Sequence, residues 1–535
     1  MPIIPIRGLS QAGILQDPSP YDLPLNAWSD GRNVRFGDSK ASRSPVFRGI
    51  TTLAKSPAFA YARRPSSGYD TVFVAAEDGT IQQYVSGSLT DVTPTGFTPS
   101  VASSRFTGTY LGDVTYINRA TAVPQYFGPT SPKFAALPAW DATWRCVALR
   151  AFHDFLIALN VTKSGTSYPT MMKWSDLTLA GQPPASWDAT DNTKNAGENV
   201  LAELDSPIVD GMPLGDTFLI YAGNQVWQAL PVGGAEVFQF RRLFNYSGAI
   251  SQNCVVEVDG RHFVFGADDL YVTDGQTIQS LVEEKNRRFI FQSLNVSSAK
   301  QCFVHYAPNL KEVWFCLPAF GAALPFGQGA GCNLAVVYNI STGTTSFLDL
   351  PNVVALTQGN VNGILTWNSA TSSTWDTVGG SWDDQTDSYA RHLVAISRTL
   401  APTITSNRLG AYDFVDKGRL SFPIIPECNA PSYLERTGID LDEQGTDLGQ
   451  AKLIRRVFPQ LDVFRNVPAT IQIGSSYTPA GAIKWGTIKQ FNPATDYKVD
   501  TLTSGRYLGI RISVAAMADF EVTGVDLDVS INGNR

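Results

Sequence analysis

The feature that most limits what this chain can become is a unit that recurs from about residue 56 to 395. It consists of a polar or Gly/Asp turn, a short apolar run, a second turn and another apolar run. Clear copies are Thr71-Val72-Phe73-Val74-Ala75 with Asp78-Gly79 and Ile81-Gln82-Gln83-Tyr84, and Phe218-Leu219-Ile220-Tyr221 with Gly223-Asn224 and Val226-Trp227. His262-Phe263-Val264-Phe265 with Asp268-Asp269 and Leu270-Tyr271-Val272 repeats it, as does Leu334-Ala335-Val336-Val337-Tyr338 with Thr342-Gly343 and Ser346-Phe347. Short apolar runs bracketed by turn formers read as hairpins. The copies start near residues 71, 114, 155, 217, 262, 312 and 364, at intervals of about 40 to 60 residues. Strand-built repeats of that period are the pattern of propeller blades. The expected fold class is therefore all-β, with a β-propeller of six to eight blades at residues 56–395 and seven the best fit to the spacing. The one long interval, after 155, holds Gln182-Pro183-Pro184-Ala185-Ser186-Trp187 and Asp188-Ala189-Thr190-Asp191-Asn192, which predict a loop inserted near 176–205.

The flanks have other textures. In residues 1–55 the segment Gln16-Asp17-Pro18-Ser19-Pro20-Tyr21-Asp22-Leu23-Pro24 spaces prolines so that neither a helix nor a central strand persists. This predicts an extended N-terminal arm, laid on a protein surface by apolar anchors such as Leu23, Leu25, Trp28, Val34, Phe36 and Phe47. In residues 396–535, Ile471-Gln472-Ile473, Tyr507-Leu508-Gly509-Ile510-Arg511-Ile512 and Val525 through Ile531 place apolar residues at period two. Half-buried antiparallel strands require that alternation, and a C-terminal β-sandwich is expected. Val282 to Leu294 is the best short helix.

Composition agrees. Among 535 residues 17% are charged, against about 25% in ordinary globular chains, and 45 Gly and 32 Pro take up the difference as turn formers. A net charge of −7 and a pI near 5.3 argue against a protein that grips phosphates, which needs clustered Lys and Arg in excess. The opening Met1-Pro2-Ile3-Ile4-Pro5-Ile6-Arg7 has no basic leader, and no apolar run reaches about 18 residues, so cytosolic synthesis and no membrane-spanning helix are expected. Six cysteines (Cys146, Cys254, Cys302, Cys316, Cys332, Cys428) lack metal-type spacing and read as buried thiols. Cys302 and Cys316 flank a turn at Pro308-Asn309 and are the one pair placed to face each other across a hairpin.

Few residues offer chemistry. His153, His262, His305 and His392 fall in or beside predicted strands, far from one another in sequence, so zinc has no visible ligand set. Neither a nucleophile elbow nor a phosphate-cradling Gly/Lys run is present, and Gly327-Gln328-Gly329-Ala330-Gly331 lacks the following helix of a dinucleotide site. Asp268-Asp269, Glu283-Glu284 and Asp383-Asp384 are candidates only in the sense that a pair of acids suffices for glycoside hydrolysis. The turns Glu77-Asp78-Gly79-Thr80 and Thr273-Asp274-Gly275-Gln276-Thr277 only partly match sialidase-type repeats. Trp375-Asp376 recurs as Trp382-Asp383, read as anchors of two strands. Asp440-Leu441-Asp442-Glu443-Gln444-Gly445 starts like a calcium loop but has Ala451 where a bidentate Glu belongs. The doublets Arg63-Arg64, Arg241-Arg242, Arg287-Arg288 and Arg455-Arg456 are dispersed. No catalytic, cofactor-binding or metal-binding residue is assigned, and no enzymatic activity is expected.

One long motif points further. Leu23-Pro24-Leu25-Asn26-Ala27-Trp28-Ser29-Asp30-Gly31-Arg32-Asn33-Val34-Arg35-Phe36 resembles the opening of tail proteins of short-tailed bacteriophages. Met172-Lys173-Trp174-Ser175-Asp176, Gly181 through Asp188, Val209-Asp210-Gly211 and Leu214-Gly215-Asp216 continue the likeness. Leu434-Glu435-Arg436-Thr437-Gly438 and Ser504-Gly505-Arg506-Tyr507 complete it. The chain is similar to the tail nozzle, or tail tubular protein B, class. That resemblance implies a virion tail protein made in the host cytoplasm, a homo-oligomer closing as a hexameric ring. Its implied partners are the tail adaptor proteins above and tail fibre or spike proteins outside. Genomic DNA would pass through the lumen without specific binding, and an acidic protein suits that passage. The alternative is a tail propeller that binds or cleaves host-surface glycans.

Overall fold

The computed structural model describes residues 3–534 apart from 64–69, 86, 102–104, 234–235, 322–323, 361–390, 415–423, 443–449, 464–466 and 480. The recurring unit is a hairpin wherever it is described. Thr71–Ala76 pairs antiparallel with Ile81–Val85, and Thr217–Ala222 with Gln225–Pro231. Arg261–Phe265 pairs with Leu270–Thr273, and Cys332–Asn339 with the start of Thr345–Gly359. The predicted starts at 71, 114, 155, 217, 262 and 312 fall within one residue of the second strand of successive sheets; 364 lies outside the described residues.

Among the described residues five sheets have four strands each and one has seven, all antiparallel between neighbours. Their first strands are Pro57–Arg63, Phe106–Leu111, Arg145–Phe152, Ile208–Leu214, Val255–Val258 and Phe303–Ala307. Each touches the next in chain order, Phe303–Ala307 touches Thr345–Gly359, and that strand returns to Pro57–Arg63. The chain is thus a β-propeller whose sheets close into a ring.

Closure is made by the strand at the start of the chain. The seven-stranded sheet runs through Thr345–Gly359, His392–Ser397 and Arg408–Asp413 and ends on Val46–Thr52. Thr345–Gly359 changes partner midway: Thr345 through Asp349 pair with Cys332–Asn339, while Ala355 through Gly359 pair with His392–Ser397. The switch falls at Pro351, which has no N–H for a ladder, and at Asn352, whose φ is 53°. Residues expected as a surface arm therefore contribute strands. The expected boundary at 395 also falls inside a propeller strand, His392–Ser397. Proline spacing silences residues 16–24 as expected, but the apolar anchors before and after them enter sheets.

Two six-stranded sheets follow. One joins Ile3–Arg7, Val34–Gly37 and Lys40–Arg43 to Phe520–Asn534, Gln450–Val463 and Val499–Gly505. The other joins Asp30–Arg32 to Ser432–Ile439, Tyr507–Val514, Ala469–Ser476, Lys484–Trp485 and Lys489–Phe491. Val457, Val525 and Leu527 of the first share one buried cluster with Ile471, Ile510 and Ile512 of the second. The same cluster continues into Phe265, Phe315 and Val336 of the propeller, so the two parts have a common core. The expected inserted loop is shorter than 176–205, because Gly197–Val200 is a strand that completes its sheet against Met171 to Trp174. The expected helix is confined to Arg287–Ser293.

Candidate functional site: the propeller axis and its mouth

The first strands of the sheets enclose a cavity of about 180 Å³ on the propeller axis, lined among others by Tyr61, Phe106, Arg150, Asn253 and His305. Its wall is held by a buried ion pair. Arg150 donates from Nε to Asp210 Oδ1 at 2.8 Å and from Nη2 to Oδ2 at 2.6 Å, a bidentate fork. The same guanidinium donates to the Gly108 carbonyl and to Asn253 Oδ1. Asn253 in turn donates through its backbone N–H to Asp210 and through Nδ2 to the Phe106 carbonyl. Four successive sheets meet in this network, and every oxygen of Asp210 is taken. Asp210 is therefore a structural acid here with no lone pair left for a substrate.

His305 is half-buried in the cavity wall and its Nε2 has no hydrogen-bond partner; burial pushes its pKa down to about 4. Burial likewise pushes Tyr61 up to about 12. Both stay neutral near pH 7, and no free carboxylate faces them among the lining residues. Neither is joined by a nucleophile or carboxylate among the described lining residues.

One face of the ring opens into a wider mouth of about 410 Å³ that shares Ala58, Arg105 and Val354 with the axial cavity. Arg105, Lys300 and Arg398 line it against one acid, Glu77. Sequence reasoning missed these residues because the three cations lie 98 to 293 positions apart and belong to no local motif. Only ring closure brings them together.

The other candidates lie elsewhere. Asp268 is exposed and pairs with Arg287 at 3.2 Å; Asp269 accepts from Ser280 Oγ, and burial raises its pKa. Glu283 and Glu284 are exposed, and Asp383-Asp384 and both Trp-Asp copies lie outside the described residues. His262 is a core residue: Nε2 donates to the Pro213 carbonyl at 2.7 Å and Nδ1 accepts from the Tyr221 hydroxyl at 2.8 Å. His153 is exposed, and His392 lies 3.8 Å from Asp413. Among the described residues no group of His, Cys, Asp and Glu is arranged to hold a metal. All six cysteines are buried free thiols, and Cys316 faces Phe303, one residue past Cys302. Gly327 through Gly331 form no strand or helix, and Asn333 donates to the Gly327 carbonyl. Of the calcium-like turn, Asp440 accepts from the Asp442 N–H, while 443–449 lie outside the described residues.

The partial sialidase-type turns share a simple geometry. Asp78 Oδ1 accepts from the Thr80 N–H at 3.0 Å and its hydroxyl at 2.6 Å. The same Asp-x-Thr lock recurs at Asp141-Thr143, Asp188-Thr190 and Asp191-Thr193, and Asp274 holds Gln276 and Thr277 similarly. These acids close turns on themselves.

The long motifs prove to be joints. Asn33, at φ 59°, exchanges hydrogen bonds with Asp349 of the propeller (Nδ2 to Oδ2 2.8 Å, Asp349 N–H to Oδ1 2.9 Å) and donates to the Pro431 carbonyl. Arg32 lies over the Phe289 and Phe347 rings at about 5.5 Å, and Arg35 pairs with buried Glu312 at 3.1 Å. Arg436 donates to the Pro20 and Leu23 carbonyls, and Gly438 packs so tightly on Pro20 that a Cβ would strike its carbonyl. Lys173 is buried, bonded to Glu198 at 2.8 Å, and Trp187 of the inserted loop stacks edge-on against Trp140.

No protein-family model and no curated protein matches the chain. Solved structures that overlap it include the computationally designed Ika8 protein, at 11% identity and TM-score 0.35, covering 69% of this chain and 100% of that one. The WD40 β-propeller domain of Doa1 overlaps at 11% identity and TM-score 0.34, over 58% and 90% of the two chains. A chain of the Mitotic Checkpoint Complex does so at 11% and 0.36, over 70% and 91%. Overlaps this loose carry no argument about blade number or activity.

Proposed function

We propose that this chain is a structural protein of a short-tailed phage tail, the protomer of a nozzle ring through which the genome leaves. In this reading the sheets count as seven blades, the seven-stranded sheet being two blades joined through Thr345–Gly359, and the two six-stranded sheets form a β-sandwich. The observation that carries it is where the resembling motifs fall. Gly31 to Phe36, Asp349's partner Asn33, and Leu434 to Gly438 lie where the start of the chain, the propeller and the C-terminal sheets are locked together. The motifs at the start of the chain and at Leu434 to Gly438 fall at such joints, and a likeness there is one of architecture, which is what a conduit protein has in common with its kind.

The dimensions of the axis fix how such a conduit would be built. A cavity of about 180 Å³ filled around by Arg150, Tyr61 and Phe106 cannot pass a duplex whose major groove alone is about 12 Å wide. The lumen is therefore between copies, around an axis outside any one propeller, as a heterologous interface repeated to closure makes it. Electron microscopy of the purified protein tests this: a six-fold ring with a central pore is expected. A trimer, or a monomer that binds or clips polysaccharide, contradicts it.

A further inference from the structure

The mouth of the propeller carries a charge pattern opposite to the chain as a whole. Three cations, Arg105, Lys300 and Arg398, face one carboxylate, Glu77, an excess of two positive charges in a chain of net −7. Glu77 is committed: its Oε1 lies 2.6 Å from Arg398 Nη1. Arg105 meets no carboxylate among the described residues; its Nη2 donates to the Gln252 and Cys302 carbonyls, which aim the guanidinium without neutralising it. Lys300 likewise has no ion-pair partner among them, and it stands beside Ser297 and Ser298 in the Val296–Gln301 turn. Arg398 is held below its ordinary pKa by burial, against the pull of Glu77 and with a push from neighbouring Arg105. Like charges gathered in a concave, partly desolvated space are unfavourable unless an anion joins them.

Gln301 also lines the mouth, with its Oε1 shielded from solvent. At about 410 Å³ the space falls within the usual range of small-ligand sites.

We propose that this mouth binds a small phosphate monoester. A phosphate monoester carries about −1.5 to −2 at neutral pH, which matches the excess of two. Guanidinium and ammonium N–H groups are the donors phosphate oxygens take. A phosphodiester, with one charge per phosphate, fits the balance less well. The site does not depend on the ring reading, since every group comes from one chain.

Calorimetric titration of the full chain at constant ionic strength tests it, with glycerol 3-phosphate, inorganic phosphate, glycerol and a short single-stranded DNA as probes. Glycerol 3-phosphate and inorganic phosphate should both bind, and glycerol not at all. Lys300→Met, at an exposed residue with no hydrogen bond to lose, should weaken glycerol 3-phosphate about tenfold while leaving the melting temperature unchanged without ligand. Arg105→Gln should weaken it at least as much. Absence of binding, affinities that both variants leave intact, or DNA binding more tightly than the monoester would overturn the proposal.

Discussion

His262 shows how a single residue couples this core to pH. Burial holds its pKa at about 4 against an ordinary 6.5, with the hydrogen bond to Pro213 working the other way. Its folded pKa is depressed and its neutral form is the folded one, so between pH 4 and 6.5 the unfolded chain binds the extra proton. Stability is thus full above 6.5 and falls as pH drops towards 4, by up to about 3 kcal/mol from this residue. Tyr221 is the titratable group facing it, and burial raises that phenol too, so it stays neutral throughout. Urea unfolding across pH 4 to 7 should show the slope, and His262→Phe should flatten it at the cost of lower stability at pH 7. Asp210 acts at the same scale: Asp210→Ala strands Arg150 in the axis wall and should cost about 3–5 kcal/mol, measured by the same unfolding. Pairing it with Arg150→Met should restore much of that loss; a double variant no better than the single would mean the network matters for geometry rather than charge. Neither role was legible in the sequence. Asp210 was visible only as part of the Val209-Asp210-Gly211 motif, since its partner lies 60 positions away, and the His262 pair depends on a fold-level contact with Tyr221.

Elements were more legible, because strand period and turn chemistry are local. The hairpins of the propeller start where alternation and Gly/Asp turns put them, and the period-two runs at Ile471, Tyr507 and Val525 are strands. What local pattern could not give is which strand closes the ring. Val46–Thr52 pairs with Arg408–Asp413 across some 360 residues, and Gly410 admits it: a Cβ there would strike Phe47 and the Arg48 carbonyl. Gly410→Val should therefore pry the closing strand away, destabilise the chain by about 2 kcal/mol or more, and speed amide exchange at residues 46–52. Exchange unchanged at those residues would contradict a closing role. The inserted loop is anchored by Trp187, buried against Trp140; Trp187→Ala should cost about 3–5 kcal/mol in thermal unfolding, although the loop looked peripheral in sequence.

For the whole molecule, low charge and plentiful Gly and Pro indicated many strands and many turns, and the repeat interval narrowed that to a propeller. Composition gave no hint of the shared core with the C-terminal sheets or of the cationic mouth, because both arise only after residues hundreds of positions apart converge. The N-terminal segment belongs to both parts: Ile3–Arg7 and Asp30–Arg43 serve the C-terminal sheets, and Val46–Thr52 the propeller. In the proposed ring a chain so interlocked would transmit load, and the lumen would lie between copies. The central claim is that copies of this chain close around a pore, and class-averaged electron micrographs of the purified full chain test it most directly. The account predicts six-fold rings with an open centre wide enough for duplex DNA; monomers, trimers or rings with no central opening would contradict it.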